Sequence, residues 1–259
     1  SIKKAFCWPG ADVLRILNDY LRFGTSTLLV VVVAVVDFSG GVASPSDPMW
    51  MAQFQNDELI AAVTEARTRR KYVIAHCHTD EGARRCVETG IRSIDHATEI
   101  SPETARLIAE SGETYTVPTL AVVRQITDFK EEIGMRPESV EKIQGVYELM
   151  LSSIENSQRA GVKVGMGTDI FGTRYHDLQA SEFRYRSDVD KPIDILRSAT
   201  SINAEIMQRK GELGVIAADA KADLIVLDES PLDNIAIFEK FETHMPIIMR
   251  GGDLKRQNL

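Results

Sequence analysis

Short apolar runs alternate with amphipathic stretches along the chain, and glycine or proline marks most of the changeovers. "LLVVVVAVV" (Leu28 to Val36) is β-branched and bounded by polar residues, the pattern of a strand buried on both faces. "YVIAH", "IRSIDH", "TYTVPTL" and "VKVGMGTD" are further runs of strand length. Between them lie segments of helical period: "NDELIAAVTEARTRR", "DEGARRCVETG", "SPETARLIAESG" and a longer stretch from about Pro137 to Ala160. "SPETARLIAESG" has Ser at the N-cap, Pro at the first helical position and Gly after its end. "ADVLRILNDYLRFG" reads as a helix ahead of the first strand, and "HDLQASEFRYR" and "PIDILRSATSINAEIMQRK" as helices after the last.

Strand then helix, repeated with short links, predicts βα units in a parallel sheet. The expected strands are Leu28–Asp37, Tyr72–His76, Ile91–His96, Thr114–Val117 and Lys163–Gly167, adjacent in that order with right-handed crossovers. They fit an open doubly wound sheet or part of a (β/α)8 barrel. After Gly211 the pattern changes to short strands and turn residues, as in "GELGVIAADAKADLIVLDESPLDN" and "MPIIMRGG". The expected division is an α/β unit over residues 1–211 and a small β appendage over 212–259.

Composition narrows the function. A net charge of −8 and pI near 5.3 lack the basic footprint that nucleic acid or an anionic membrane requires. The valine-rich run is far shorter than the ~20 residues of a membrane span. Cys7, Cys77 and Cys86 form no CxxC pair, which points to a reducing compartment or to thiols of no structural role; with no signal-peptide layout in view, a cytoplasmic location is expected.

In a parallel α/β sheet, functional groups gather where strands end. Here the ends carry His76 and His78, then His96, then Asp169 of "GMGTD". One histidine at a strand tip is commonly a local hydrogen-bonding group. Imidazoles and a carboxylate delivered by separate strands suit Zn²⁺ or a similar divalent ion. Alternation along the strand would point His76 and His78 to one face, with Cys77 turned toward the helices. Either both histidines reach the site, or the strand stops at His76 and His78 begins the loop. "DFSGGVASPSDP" allows close approach by a ligand, or is a plain loop. His176, beyond "GTDIFGTRY", sits where a loop could enclose a substrate or where a surface histidine would lie. His244, in the appendage, reads as structural.

In that order, "SGGVASPSDP", "AHCHT", "GIRSIDHA", "VPTL", "GMGTD", "QASEFRYR", "RSATSINAEIM" and "LGVIAADAKADLIVLDESPLDNI" resemble the carboxyl-terminal three-fifths or so of a metal-dependent amidohydrolase. The likeness is to the imidazolonepropionase, Xaa-Pro dipeptidase and ochratoxinase-like group. It implies a (β/α)8 barrel, incomplete at the amino-terminal side in this stretch, with a small β-sandwich built from both termini. It implies one or two divalent ions, zinc foremost, and a small-molecule amide substrate such as a dipeptide or N-acyl amino acid. By the resemblance, His76 and His96 are metal ligands, and Asp169 is both ligand and the group that accepts the attacking water's proton. His78, His176 and Asp37 are auxiliary candidates.

The resemblance also has gaps. The family opens its barrel with an HxH motif, whereas the HxH here, His76 and His78, matches a later strand. The lysine whose carbamate bridges two ions falls at Val35, and Leu28 to Phe38 contains no lysine. Asp37, two residues on and on the same strand face, either stands in as a ligand or belongs to an altered segment. Weak, sub-stoichiometric metal binding and little hydrolysis are therefore expected of this chain by itself. Two other readings stand beside the enzyme: a non-catalytic relic of the barrel, and a metal-free α/β ligand-binding domain. Unpaired strand edges would further call for a second copy or a complementary amino-terminal segment.

Overall fold

The computed structural model describes residues 33–41 and 48–257, with side chains from residue 38 onward. The helix expected before Gly24, the first residues of the valine run and the middle of "SGGVASPSDP" lie outside the described residues, as do the side chains of Val35 and Asp37.

Strand β1 (Val33–Asp37) is followed by helix α1 (Asn56–Thr68), β2 (Tyr72–Cys77), α2 (Asp80–Thr89), β3 (Ser93–His96), α3 (Pro102–Ser111) and β4 (Tyr115–Val117). The four strands form one sheet in the order β1-β2-β3-β4, every pair parallel. This is the predicted order. The fifth expected strand, Lys163–Gly167, is reduced to one parallel bridge, Thr116 to Val164, continued by Gly165 N donating to Thr116 O at 2.8 Å. The described sheet is thus an open arc of βα units, the architecture expected of a partial barrel.

Local chemistry sets the helix ends. The Thr79 hydroxyl accepts from Gly82 N at 3.2 Å to start α2, and left-handed Gly90 (φ 82°) stops it. Ser101 and Gly112 do the same for α3, with Pro102 in the first turn. Helices α1 to α3 cover one face of the sheet, and their core with it holds Phe38, Leu59, Val63, Val73, Cys77, Cys86, Ile94 and Ile108. Cys77 faces the helices, as expected. A Cβ at Gly82 would lie 2.5 Å from Cys77 Sγ and 2.7 Å from the Phe38 ring, so α2 presses directly on the strand that carries His76.

Helix α4 (Leu120–Asp128), the short α5 (Lys130–Ile133) and α6 (Pro137–Lys142), and α7 (Val146–Ala160) follow β4. A second core joins α4 to α7 through Leu120, Ile126, Val146, Met150 and Ile154. "HDLQASEFRYR" is a 3₁₀ stretch, Thr173–Ala180, running into α8 (Ser181–Arg186). "PIDILRSATSINAEI" is α9 (Pro192–Arg197), a π turn over Ser198–Ile202 and α10 (Asn203–Ile206).

The π turn precedes Asn203, whose side-chain amide bonds both Met166 N (3.0 Å) and Met166 O (2.9 Å). That amide occupies the edge where a ladder would continue, so "GMG" is bracketed by Asn203 and Val117 instead of forming a regular strand. Beyond it, β5 (Leu224–Val226), β6 (Ile247–Arg250) and β7 (Asp253–Gln257) form an antiparallel sheet, with α11 (Phe241–His244) ahead of β6. Ile237, Phe238 and Met245 pack there against Ile195 of α9.

Candidate metal centre

Strand β2 ends at Cys77, and the rings of His76 and His78 on either side of it both reach the same point. Their centroids lie 4.7 Å apart, and the His96 ring is 4.5 Å from His76 and 4.9 Å from His78. One ligand nitrogen from each ring falls within 4.8 Å of the others. In a tetrahedral site with Zn–N bonds of about 2.0–2.1 Å, two such nitrogens stand roughly 3.4 Å apart. The 4.8 Å limit brackets that spacing, so the three residues fit a divalent ion. His78 and His96 are buried and His76 is half-buried.

His96 reaches the group by a distorted backbone. In register, β3 pairs Asp95 with His76 and His96 with Cys77, so regular alternation would turn His96 toward the helices. His96 and Ala97 instead adopt φ of 67° and 46°, a region non-glycine residues rarely occupy. Asp169 has the same feature, φ 51°. Left-handed backbone at two of the predicted site residues is local strain where chemistry is expected.

Hydroxyls fix the rings. His78 Nδ1 shares a hydrogen bond with Thr98 Oγ1 at 2.8 Å, and His96 Nδ1 one with Thr119 Oγ1 at 2.7 Å. With Nδ1 engaged, Nε2 of each ring is left for another partner, the usual arrangement behind a metal-ligating histidine. Thr98 is itself held: Ser153 Oγ on α7 donates to Thr98 O at 2.6 Å and accepts from Ile100 N at 2.8 Å. The Ser39 hydroxyl of "SGG" accepts from His78 N at 2.9 Å, and Phe38 N donates to His76 O at 2.9 Å, so the loop after β1 clasps the end of β2. Ser39 and Thr119 lie inside stretches that carry the resemblance, "SGGVASPSDP" and "VPTL", yet only the histidines stood out as site residues, since isolated hydroxyl residues carry no periodic mark.

Burial, then the charge His76 would carry, pushes His96 down to a pKa of about 3, and burial with both neighbouring imidazoles holds His78 well below its usual value. Both rings are neutral at pH 7 and ready to donate a lone pair. Asp95, which no motif singled out, is raised to about 6 by burial and by Asp169, against the Ser93 hydroxyl bond at 2.7 Å that lowers it. Strand alternation pairs it with His76, and that was the available signal.

The other candidates separate. Asp169 is exposed and is not part of the three-imidazole group, although its charge is felt by Asp95. His176 is exposed on the 3₁₀ stretch and also stands outside the group. Asp37 ends β1 in register with His76. His244 Nδ1 meets Asp228 Oδ1 at 2.8 Å within the appendage, a local structural contact. Among the described residues, no helix is long and apolar enough to cross a membrane.

Residues 31–252 match the model of the amidohydrolase family. Among curated proteins, the ochratoxinase of Aspergillus niger is 29% identical over 248 residues, 94% of this chain and 49% of that protein. Among solved structures, a prolidase complexed with N-methylphosphonate-L-proline superposes with a TM-score of 0.88 at 36% identity, over 96% of this chain and 59% of that one. The A. niger ochratoxinase structure gives a TM-score of 0.80 at 26% identity, over 96% of this chain and 55% of that one. The chain therefore spans about half to three-fifths of the length of these relatives.

Proposed function

The chain belongs to the amidohydrolase family, and from that premise we propose that it carries the metal centre of an enzyme hydrolysing amide C–N bonds in small molecules such as dipeptides or N-acyl amino acids. The observation that carries this reading is the convergence of His76, His78 and His96, two of them fixed through Nδ1 by threonine hydroxyls. The relatives, a prolidase and an ochratoxinase, support the substrate class.

In this reading His76, His78 and His96 hold one divalent ion, with zinc the natural choice for three neutral imidazoles. His78, an auxiliary candidate by sequence, joins the ligand set. When bound, the ion supplies Lewis acidity toward the amide carbonyl and toward water. Asp169 accepts the proton of the attacking water and returns it to the departing amine nitrogen. Thr98 and Thr119 keep the rings oriented throughout.

Val35, standing where the family's bridging lysine falls, favours a one-ion site and leaves a non-catalytic descendant as the second reading. A panel of Xaa-Pro dipeptides and N-acyl amino acids, assayed with added Zn²⁺ and with chelator, separates the two. Amide cleavage that chelator removes and zinc restores supports the enzyme. Zinc-loaded protein that leaves the whole panel intact supports the non-catalytic reading.

A further inference from the structure

We propose that Glu182 and Arg186 are positioning residues, with helix α8 acting as one strut behind both segments that present the site's chemistry. The proposal takes its functional meaning from the metal-site reading above; its geometry stands on hydrogen bonds alone.

Three charged side chains are shut away from solvent here, Glu182 at 0% exposure, Arg186 at 1% and Asp190 at 7%. Burying charge is costly, and apolar side chains could fill the same space without that cost. The contacts show what the charges hold. Glu182 Oε2 accepts from Ala121 N at 2.7 Å, in the first turn of α4. Two residues before Ala121 stands Thr119, whose hydroxyl meets His96 Nδ1 at 2.7 Å. On the other side, Arg186 Nη1 donates to Gly165 O at 3.0 Å. Gly165 opens the "GMGTD" segment that ends in Asp169.

Residues 182 and 186 are one helical turn apart and share a face of α8. Asp190 accepts from the guanidinium and fixes its plane. Glu182 Oε1 has no hydrogen-bond partner among the described residues, and burial lifts this carboxyl to a pKa of about 7. The carboxylate is therefore held by the α4 amides and the Arg186 charge. Remove Glu182 and α4 loses its anchor at the residue pair next to Thr119. Remove Arg186 and "GMGTD" loses its tie to the same helix.

The test is zinc affinity of the full chain, measured against a competing chelator, for Glu182→Leu, Glu182→Gln, Thr119→Val and the Glu182→Leu/Thr119→Val pair. A folded Glu182→Leu protein is expected to bind zinc about 10–100-fold more weakly, the usual scale for losing support behind a ligand. Glu182→Gln should recover most of that, because its amide oxygen still accepts from Ala121 N. The double variant should be no weaker than Thr119→Val alone, because the strut acts through Thr119. A folded leucine variant with parental affinity, or a double variant whose losses add, overturns the proposal. Should the leucine variant not fold, Glu182→Met, which also lacks an acceptor for Ala121 N, carries the same 10–100-fold expectation. Arg186→Lys keeps the charge but cannot serve Asp190 and Gly165 together, so it should lower amide turnover through Asp169 and leave zinc affinity at the parental level; parental turnover in that variant overturns the Arg186 arm. Parent protein that binds no zinc would sink the metal reading by itself. The strut is then judged by ¹⁵N NMR of the His96 ring: one tautomer in the parent and a mixture in Glu182→Leu supports it, and identical spectra overturn it.

Discussion

At the scale of single residues, His96 and Asp169 share a left-handed backbone but are assigned different work. Asp169→Asn keeps an oxygen in place and removes the carboxylate's basicity. Turnover is expected to fall roughly 10²–10⁴-fold, with metal content nearly unchanged. His96→Ala should lower metal content and turnover together, because a ligand is gone. Metal analysis and amide hydrolysis of both variants, with melting temperature as a control for folding, check the pair; an Asp169→Asn protein at the parental rate would remove the proton-transfer role. The three histidines were legible because each closes an apolar run. The way His96 enters the site was not. Alternation assigns Asp95 to the face of His76 and His96 to the opposite face, and only the positive φ at His96 and Ala97 brings its ring round. No residue type announces that turn, since histidine and alanine are ordinary in strands and loops alike.

At the scale of elements, the sequence read β1 to β4 and their helices well because their apolar periods and end signals agree. "VKVGMGTD" has the apolar content of a strand, but its pairing is set by Asn203, a residue 37 positions beyond Met166 that no local pattern connects to it. The glycines there have a reason. A Cβ at Gly165 would stand 2.6 Å from Ile206 Cδ1 and 2.7 Å from Asn203 Oδ1, and the amide is held by two hydrogen bonds. Gly165→Ala is therefore expected to cost about 1–3 kcal/mol, the range of overpacking. It should also weaken metal-dependent activity, since "GMGTD" carries Asp169. Chemical denaturation measures the first effect; a variant as stable as the parent would show that Asn203 can yield.

At the scale of the molecule, the sheet is closed below the site by charge. Glu205 on α10 takes bonds from Lys163, from Tyr115 OH at 2.9 Å and from Lys210 Nζ at 3.4 Å. Arg92, stacked between Tyr72 and Tyr115, donates to the carbonyls of Glu205 (2.6 Å) and Ile206 (2.8 Å). The Lys163 bond foremost, with Tyr115 and Lys210, lowers the Glu205 carboxyl from 4.5 to about 2. A carboxyl depressed in the folded state stabilises it above the unfolded value and loses that effect as pH falls toward the folded one. Acidification from about pH 4.5 to about 2 should therefore destabilise the parent more than Glu205→Gln, as read from melting temperatures across that window. Equal acid sensitivity would assign the loss to other groups. Apart from Lys210, five residues on, the partners of Glu205 lie far from it in sequence, so the closure could not be read ahead of the fold.

The point on which the function turns is that the imidazoles of His76 and His96, at the ends of β2 and β3, and of His78, just after β2, hold a divalent ion. Its most direct test is the zinc content of purified, zinc-equilibrated and desalted protein, parent beside His76→Ala, His78→Ala and His96→Ala. A single ion is expected as the limit of binding in the parent, with a marked loss in every variant, His78→Ala included. A parent that retains no zinc, or variants that retain as much as the parent, would contradict it.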